Sequence, residues 1–532
     1  MHGKRPTVSS LHGMVAAAHP LAAQAGARLL AAGGNAFDAA AATAAALNVV
    51  EPYMSGLAGM GYATCYVGAE RRVRTLDFST AIPAALPVER FRGREDLQRG
   101  ALAVGTPGNL AGWCEMVERY GKTSLAEALA PAIALACDGY PLIEFNVEET
   151  NQSAPELARH AALYDVWART YTGGEGRVAP GFVLRQPELA HTFEALAAEG
   201  PGLLFGGALG RRIVAHLESI GGCLTMADLD AVRPVWKESL AVAYRDLQVH
   251  TLPPPCEGFQ FLLALRLLDG IEIGKLERNG VEHLDLVWRA IRLAAGRRIA
   301  DNNPTPERLA ALFSAGEIAA LCARLQDGRP VDGPTEQWLA PAPARAEHHT
   351  TSFSVADKDG NLVCVTQSLG SPFGSGVVVP GTGICLNNFL YWADVTPGSP
   401  NRVRPGGALP ICMAPSISTR DGAPVLALGT PGSYGILQTQ VQALVQVVDF
   451  GLALQEAIEA PRARLWDGRT VHVESRFDRA TLDALRTRGH AVEAVQPWTM
   501  RVGGMQAIAV DPRTGAMTGG CDPRRDGYVA TP

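Results

Sequence analysis

The 532-residue sequence contains no Gly-x-Ser-x-Gly elbow, no Walker phosphate loop and no His-Glu-x-x-His helix. Gly121-Lys122-Thr123 lacks the glycine five residues earlier that a phosphate cradle requires. His348-His349 is the only adjacent histidine pair, and neighbours on an extended strand point in opposite directions, so no metal is expected there. No block of five like charges occurs. With a net charge of −6 and a pI near 6.1, the chain shows no electrostatic footprint for nucleic acid. Arg71, Arg72 and Arg74 read as a solvated face. The ten cysteines include no Cys-x-x-Cys pair, which points to reduced, mostly buried thiols and a cytoplasmic setting. Polar residues interrupt every apolar stretch after the basic start at Lys4-Arg5, so no secretory signal is expected. Asp38, Thr43 and Asn48 likewise make residues 36–50 a buried helix rather than a membrane span, and no membrane partner is expected.

What is present is globular: 47% hydrophobic and 19% charged residues, enough for a large core. Leu21 to Ala32 reads as a helix ended by Gly33-Gly34-Asn35, and Asp38 to Val50 as a second helix closed by Glu51-Pro52. A glycine-rich turn at 56–61 then enters a strand at Tyr62–Val67; its spacing is not that of a dinucleotide fingerprint. Residues 100–330 have a largely helical pattern. Arg324 to Glu347, with Pro330, Pro334, Pro341 and Pro343, reads as an exposed, extended connector. From Thr350 onward strands dominate: Thr351–Val355, a turn at Asp359-Gly360-Asn361, then Leu362–Gln367. Further hairpins are expected around Gly383–Asn387 and across Asp421-Gly422, before helix returns at Gln438–Phe450. Strands and helices in blocks imply an α+β fold, an antiparallel sheet core covered by helices.

Thr350-Thr351 lies where connector becomes strand. Ser368, Ser371-Pro372-Phe373-Gly374-Ser375-Gly376, Leu386-Asn387-Asn388 and Gly429-Thr430-Pro431-Gly432-Ser433 follow in that order. Together with Ala32-Gly33-Gly34-Asn35-Ala36-Phe37-Asp38, Pro253-Pro254-Pro255, Asp449-Phe450-Gly451 and Ala460-Pro461-Arg462, this order resembles the γ-glutamyltransferase family of N-terminal nucleophile hydrolases over nearly the whole chain. The resemblance implies a four-layer α/β/β/α sandwich. It also implies self-cleavage between His349 and Thr350 into a large segment, 1–349, and a small catalytic segment, 350–532, which stay associated as one intertwined domain. A threonine hydroxyl is a poor nucleophile without a base. Cleavage would supply one, an α-amine with a pKa of roughly 7.7–8.0 beside the hydroxyl. By the same resemblance Ser368 would orient Thr350, and the backbone N–H groups of Gly432 and Ser433 would hold the oxyanion. The acyl group of a small amide would pass through Thr350 to water or to an amine acceptor. No metal or cofactor is implied, and a homo-oligomer is left open.

The implied acyl pocket departs from the family pattern. Ser79 stands where an arginine usually holds the glutamyl carboxylate, and Trp392 where an acidic residue holds the α-amine. Gly370 and Phe389 replace amide side chains, Ile411-Cys412 replaces a Ser-Ser pair, and Tyr434 adds an aromatic wall. Charge-assisted contacts of the lost kind contribute roughly 1.5–3 kcal/mol each. The expectation is therefore a retained catalytic centre with a remodelled, more apolar acyl pocket, unless Arg402, Arg404 or Asp394 substitutes. γ-Glutamyl compounds such as glutathione, or a glutaryl, oxamate-type or aromatic acyl amide, are the substrate classes in view. A binding protein on the same scaffold is the non-catalytic alternative.

Overall fold

A computed structural model describes residues 5–335 and 350–532. The chain is mixed α+β, built around two seven-stranded sheets. One sheet runs in the order Val8–Ser10, Met517–Cys521, Gln506–Val510, Ala423–Gly429, Ser416–Arg420, Leu247–Thr251 and Leu240–Tyr244. The other runs Tyr528–Ala530, Gly13–Ala17, Thr351–Asp357, Leu362–Ser368, Met60–Val67, Arg72–Asp77 and Val235–Glu238. Both sheets combine strands from either side of residue 350. Thr351–Asp357 lies between Gly13–Ala17 and Leu362–Ser368, antiparallel to each.

The period of two along these strands sorts side chains between two cores. Val15, Ala17, Phe353, Val355, Val363 and Val365 pack with the helices Pro20–Ala31 and Ala36–Val50. Their neighbours Met14, Ala16, Ala356, Leu362 and Cys364 meet Ile417, Ala427 and Ile508 of the other sheet. The far face of that other sheet is covered by Phe259–Asp269, Ile436–Val448 and Leu454–Glu459. Ala36–Val50 is buried along its whole length. Its start is fixed by a capping box, in which Asn35 accepts from the Asp38 N–H and Asp38 from the Asn35 N–H.

Three expectations need correction. Residues 235–251, read as part of a helical region, form three strands that complete both sheets. Their alternation is short and half-exposed, a weak signal beside the long helices around it. Val8–Ser10 and Gly13–Ala17 precede the first expected helix and were not anticipated as strands. Arg324 is not in an extended connector but in the helix Ala315–Gln326. Leu325 and Thr335 are buried, with Thr335 receiving a hydrogen bond from Arg298 and donating its own N–H to Asp467. Residues 336–349, which hold the end of that stretch and the expected cleavage residue His349, lie outside the described residues.

Candidate active site

Strand register brings the hydroxyls together. Thr351 pairs with Gln367 and Ser352 with Thr366, so Thr350 falls opposite Ser368 at the mouth of the hairpin. By parity both face the other sheet, as do Ser352 and Ser354, whose hydroxyl donates to the Gln506 carbonyl. Thr350 Oγ1 donates to Ser368 Oγ at 3.3 Å, and Ser368 Oγ also accepts the Gly370 N–H at 2.8 Å. Both residues are buried. Gly59 of the glycine-rich turn is needed here for close approach, since a Cβ on it would overlap the Ser368 carbonyl.

The glycine turn Gly429–Ser433 leaves the strand Ala423–Gly429 directly against this hairpin. A side chain on Gly429 would overlap Ser352 Oγ and sit 3.0 Å from Cys364 Sγ, so the backbone comes closer than any other residue would allow. Gly432 adopts φ 128° and Ser433 φ 52°, at the entrance to the helix Ile436–Val448. The Gly432 carbonyl is turned away, accepting from Arg464 at 2.6 Å and from the Gly435 N–H at 3.0 Å. The Gly432 and Ser433 amides, the expected oxyanion donors, lie on this turn just ahead of the helix Ile436–Val448.

Behind the nucleophile candidate stand two residues to which the sequence gives no role at the site. Arg525 Nη1 donates to the Thr350 carbonyl at 3.0 Å, and Thr351 Oγ1 donates to Glu51 Oε2 at 2.8 Å. Glu51 had been read only as a helix stop. Its only available signal was an acidic side chain directly after fifteen buried residues.

The expected acyl-pocket residues fall into three groups. Gly370, at φ 102°, has no room for a side chain: a Cβ would overlap Asn388 Oδ1 and lie 3.0 Å from the Trp392 ring. Phe389 and Tyr391 pack on the same Trp392, at 6.0 Å and 5.3 Å between ring centroids. Ile411 and Cys412 are buried beside Glu257, whose N–H donates to the Ile411 carbonyl at 2.9 Å. Glu257 pairs with Arg298 at 3.2 Å, both fully buried, and the Arg298 guanidinium lies 4.3 Å over the Tyr434 ring. Ser79 stands apart, with its hydroxyl and N–H both donating to Asp77 Oδ1. Asp77 in turn pairs with Lys237 at 2.7 Å.

Two of the three residues considered as replacement anchors, Arg402 and Asp394, are committed locally. Arg402 pairs with Glu89 at 3.1 Å. Asp394 accepts from the Ser399 hydroxyl and from the Thr396 N–H. The buried Arg298–Glu257 pair is instead the charged feature beside Tyr434 and Ile411, and it joins residues 41 positions apart that no local motif connects.

Two facing sheets, with a buried threonine–serine pair at the end of two central strands of one and a glycine turn leaving the other, make this the candidate active site. The sequence model of the γ-glutamyltranspeptidase family matches residues 22–531. The chain belongs to that family and is an enzyme of its N-terminal nucleophile hydrolase class. It is 36% identical to the acylase ACY 1 proenzyme of Pseudomonas sp. (strain V22), across 98% of this chain and 94% of that one. It is 30% identical to the glutathione hydrolase proenzyme of Bacillus subtilis (strain 168), across 97% of this chain and 90% of the relative. Cephalosporin acylase from Bacillus halodurans has a similar structure, with a TM-score of 0.91 at 31% identity, over 100% of this chain and 98% of that one.

Proposed function

We propose that this chain is a self-cleaving amidohydrolase that works through Thr350 and takes a small acyl amide other than a γ-glutamyl compound. The observation carrying the catalytic part is the Thr350–Ser368 hydroxyl pair beside the Gly429–Ser433 corner. Scission of the 349–350 peptide would free an α-amine on Thr350. That amine takes the hydroxyl proton as Oγ1 attacks the substrate carbonyl. The oxyanion is held by the Gly432 and Ser433 N–H groups, Ser368 orients Oγ1, and the proton passes to the departing amine. Water then resolves the threonyl ester; an amine acceptor would give transfer instead. We read the facing sheets and their helices as the expected four-layer α/β/β/α sandwich. Because its strands interleave across residue 350, fragments 1–349 and 350–532 would remain together after cleavage.

The substrate reading rests on the acyl pocket. A side chain at Gly370 would overlap Asn388 Oδ1 and press on the Trp392 ring, and Ser79 is turned onto Asp77. Neither position offers a charged anchor for a glutamyl zwitterion. The relatives named acylases favour the same reading.

Denaturing electrophoresis should reveal a fragment of 183 of the 532 residues, about 19 kDa of the 56.2 kDa chain. Its N-terminal sequence should be Thr-Thr-Ser-Phe, and Thr350→Ala should abolish both fragment and activity. Hydrolysis of a γ-glutamyl anilide is then compared with glutaryl, oxamate-type and aromatic acyl amides. Selective γ-glutamyl turnover would overturn the substrate reading. A well-folded, uncut and inactive protein would favour the binding-protein alternative.

A further inference from the structure

Glu51 is mounted rigidly. It caps the helix Ala36–Val50, donating its N–H to the Leu47 carbonyl at 2.9 Å, and its own carbonyl accepts from Met54 and Ser55 at 2.8 and 3.1 Å. Its side chain is fully buried and reaches the strand carrying Thr350, where Oε2 takes the Thr351 hydroxyl. Oε1 has no hydrogen-bond partner among the described residues. Arg525 comes from the opposite end of the chain and grips the carbonyl of Thr350 itself. Gly504 leaves it space, since a Cβ there would overlap Arg525 Cδ.

Thr350 directly precedes the strand Thr351–Asp357, and no ladder pair among the described residues includes it. The two ties act on either side of its peptide link to Thr351: Arg525 on the carbonyl, Glu51 on the next side chain. Thr351 points to the helix face and Thr350 to the facing sheet, so pinning Thr351 sets the direction in which Oγ1 emerges.

We infer that Glu51 and Arg525 are positioning residues for the nucleophile, holding the Thr350–Thr351 peptide so that Oγ1 meets Ser368 and the glycine corner. This rests on the reading of Thr350 as nucleophile. Keeping a carboxylate there is costly. Burial pushes Glu51 up to about 7 from an ordinary value of 4.5, against the pull of Thr351 and Arg525. Its other titratable neighbours are Asp526, Tyr53 and Tyr140. A raised value means that the stability this group allows below pH 4.5 is lost as pH rises through about 7.

The test uses the full-length cleaved enzyme and the acyl amide that it hydrolyses fastest. Glu51→Gln and Thr351→Val should each lower kcat by about tenfold to a hundredfold with KM little changed, as loss of a charge-assisted bond predicts. The double variant should be no slower than the worse single one, because both remove the same charge-assisted contact. Thr351→Ser, which keeps the hydroxyl, should restore kcat, and Arg525→Lys should retain more activity than Arg525→Ala. At pH 8 Glu51→Gln should melt no lower than the parent. Unchanged kcat in both Glu51→Gln and Thr351→Val, or additive losses in the double variant, would overturn the inference. If Glu51→Gln fails to fold, the Thr351→Val and Thr351→Ser comparison decides. Activity surviving in Thr350→Ala would instead sink the nucleophile assignment beneath it.

Discussion

At Gly432 the backbone takes φ 128° and ψ 33°, a conformation that L side chains rarely adopt. There is space for a methyl group, since the nearest atom to an added Cβ is Gly503 Cα at 3.6 Å. Any defect in Gly432→Ala must therefore come from the backbone rather than from a clash. Strain of about 1–3 kcal/mol should turn the peptide away from its present direction. If its N–H holds the oxyanion, kcat should fall by roughly 10²–10³. Ser433 is the control: it sits at φ 52°, its hydroxyl is buried without a partner among the described residues, and only its N–H is assigned a role. Ser433→Gly should leave kcat close to the parent value and melt no lower. Equal losses in both variants would argue against a role specific to the Gly432 amide.

Helix packing beside the site supplies a test at the next scale. Pro20–Ala31 crosses Ala36–Val50 where Gly26 meets Thr43, whose hydroxyl is already bonded to the Ala39 carbonyl at 2.8 Å. A Cβ on Gly26 would overlap Thr43 Oγ1 and lie 3.0 Å from the Ala39 carbonyl. Helix propensity alone would make Gly26→Ala stabilising by about 1 kcal/mol. Overpacking of about 1–3 kcal/mol should outweigh it. Thermal unfolding should thus show a lower Tm, and a higher one would mean that the two helices separate easily. This contact also illustrates what could be read beforehand. Both helices were legible because alanine-rich runs end in Gly33-Gly34-Asn35 and in Glu51-Pro52, which are local signals. The hairpin at Thr350 was legible for the same reason, through alternation and Asp359-Gly360-Asn361. Glu51 and Arg525 were not, because their bonds to Thr351 and Thr350 span 300 and 175 residues and leave no pattern in either neighbourhood. The strands at 235–251 were hidden similarly, since Val235–Glu238 pairs with Arg72–Asp77 and Leu247–Thr251 with Ser416–Arg420, both distant in sequence.

Across the whole molecule, the last turn of the chain has to carry Arg525 to Thr350, and a buried ion network fixes that turn. Asp522 pairs with Arg462 and, at 3.0 Å, with Arg524; Arg524 also holds Glu474 at 2.6 Å. Asp522 Oδ2 accepts the Met505 N–H at 3.1 Å, and Arg462 Nε donates to the Val502 carbonyl at 3.0 Å. The same network therefore steadies the 502–505 segment that backs Gly432. Burial alone would raise the Asp522 carboxyl, but Arg462 and Arg524 overcome it and hold it at about 2, below its ordinary 3.8. A lowered value places the stabilisation above pH 3.8 and removes it as pH falls towards 2, by about 2 kcal/mol. Asp522→Asn leaves two buried guanidiniums short of a counter-charge and should cost roughly 3–5 kcal/mol at neutral pH. In urea titrations, the parent's stability should drop between pH 4 and 2, while the variant, already weakened at pH 7, should lose less over that interval. Parallel curves would mean that Asp522 is not the group responsible. If the network serves the site through Arg525, the variant should also lose kcat at temperatures where it remains fully folded, because the grip on the Thr350 carbonyl loosens before the sheets separate.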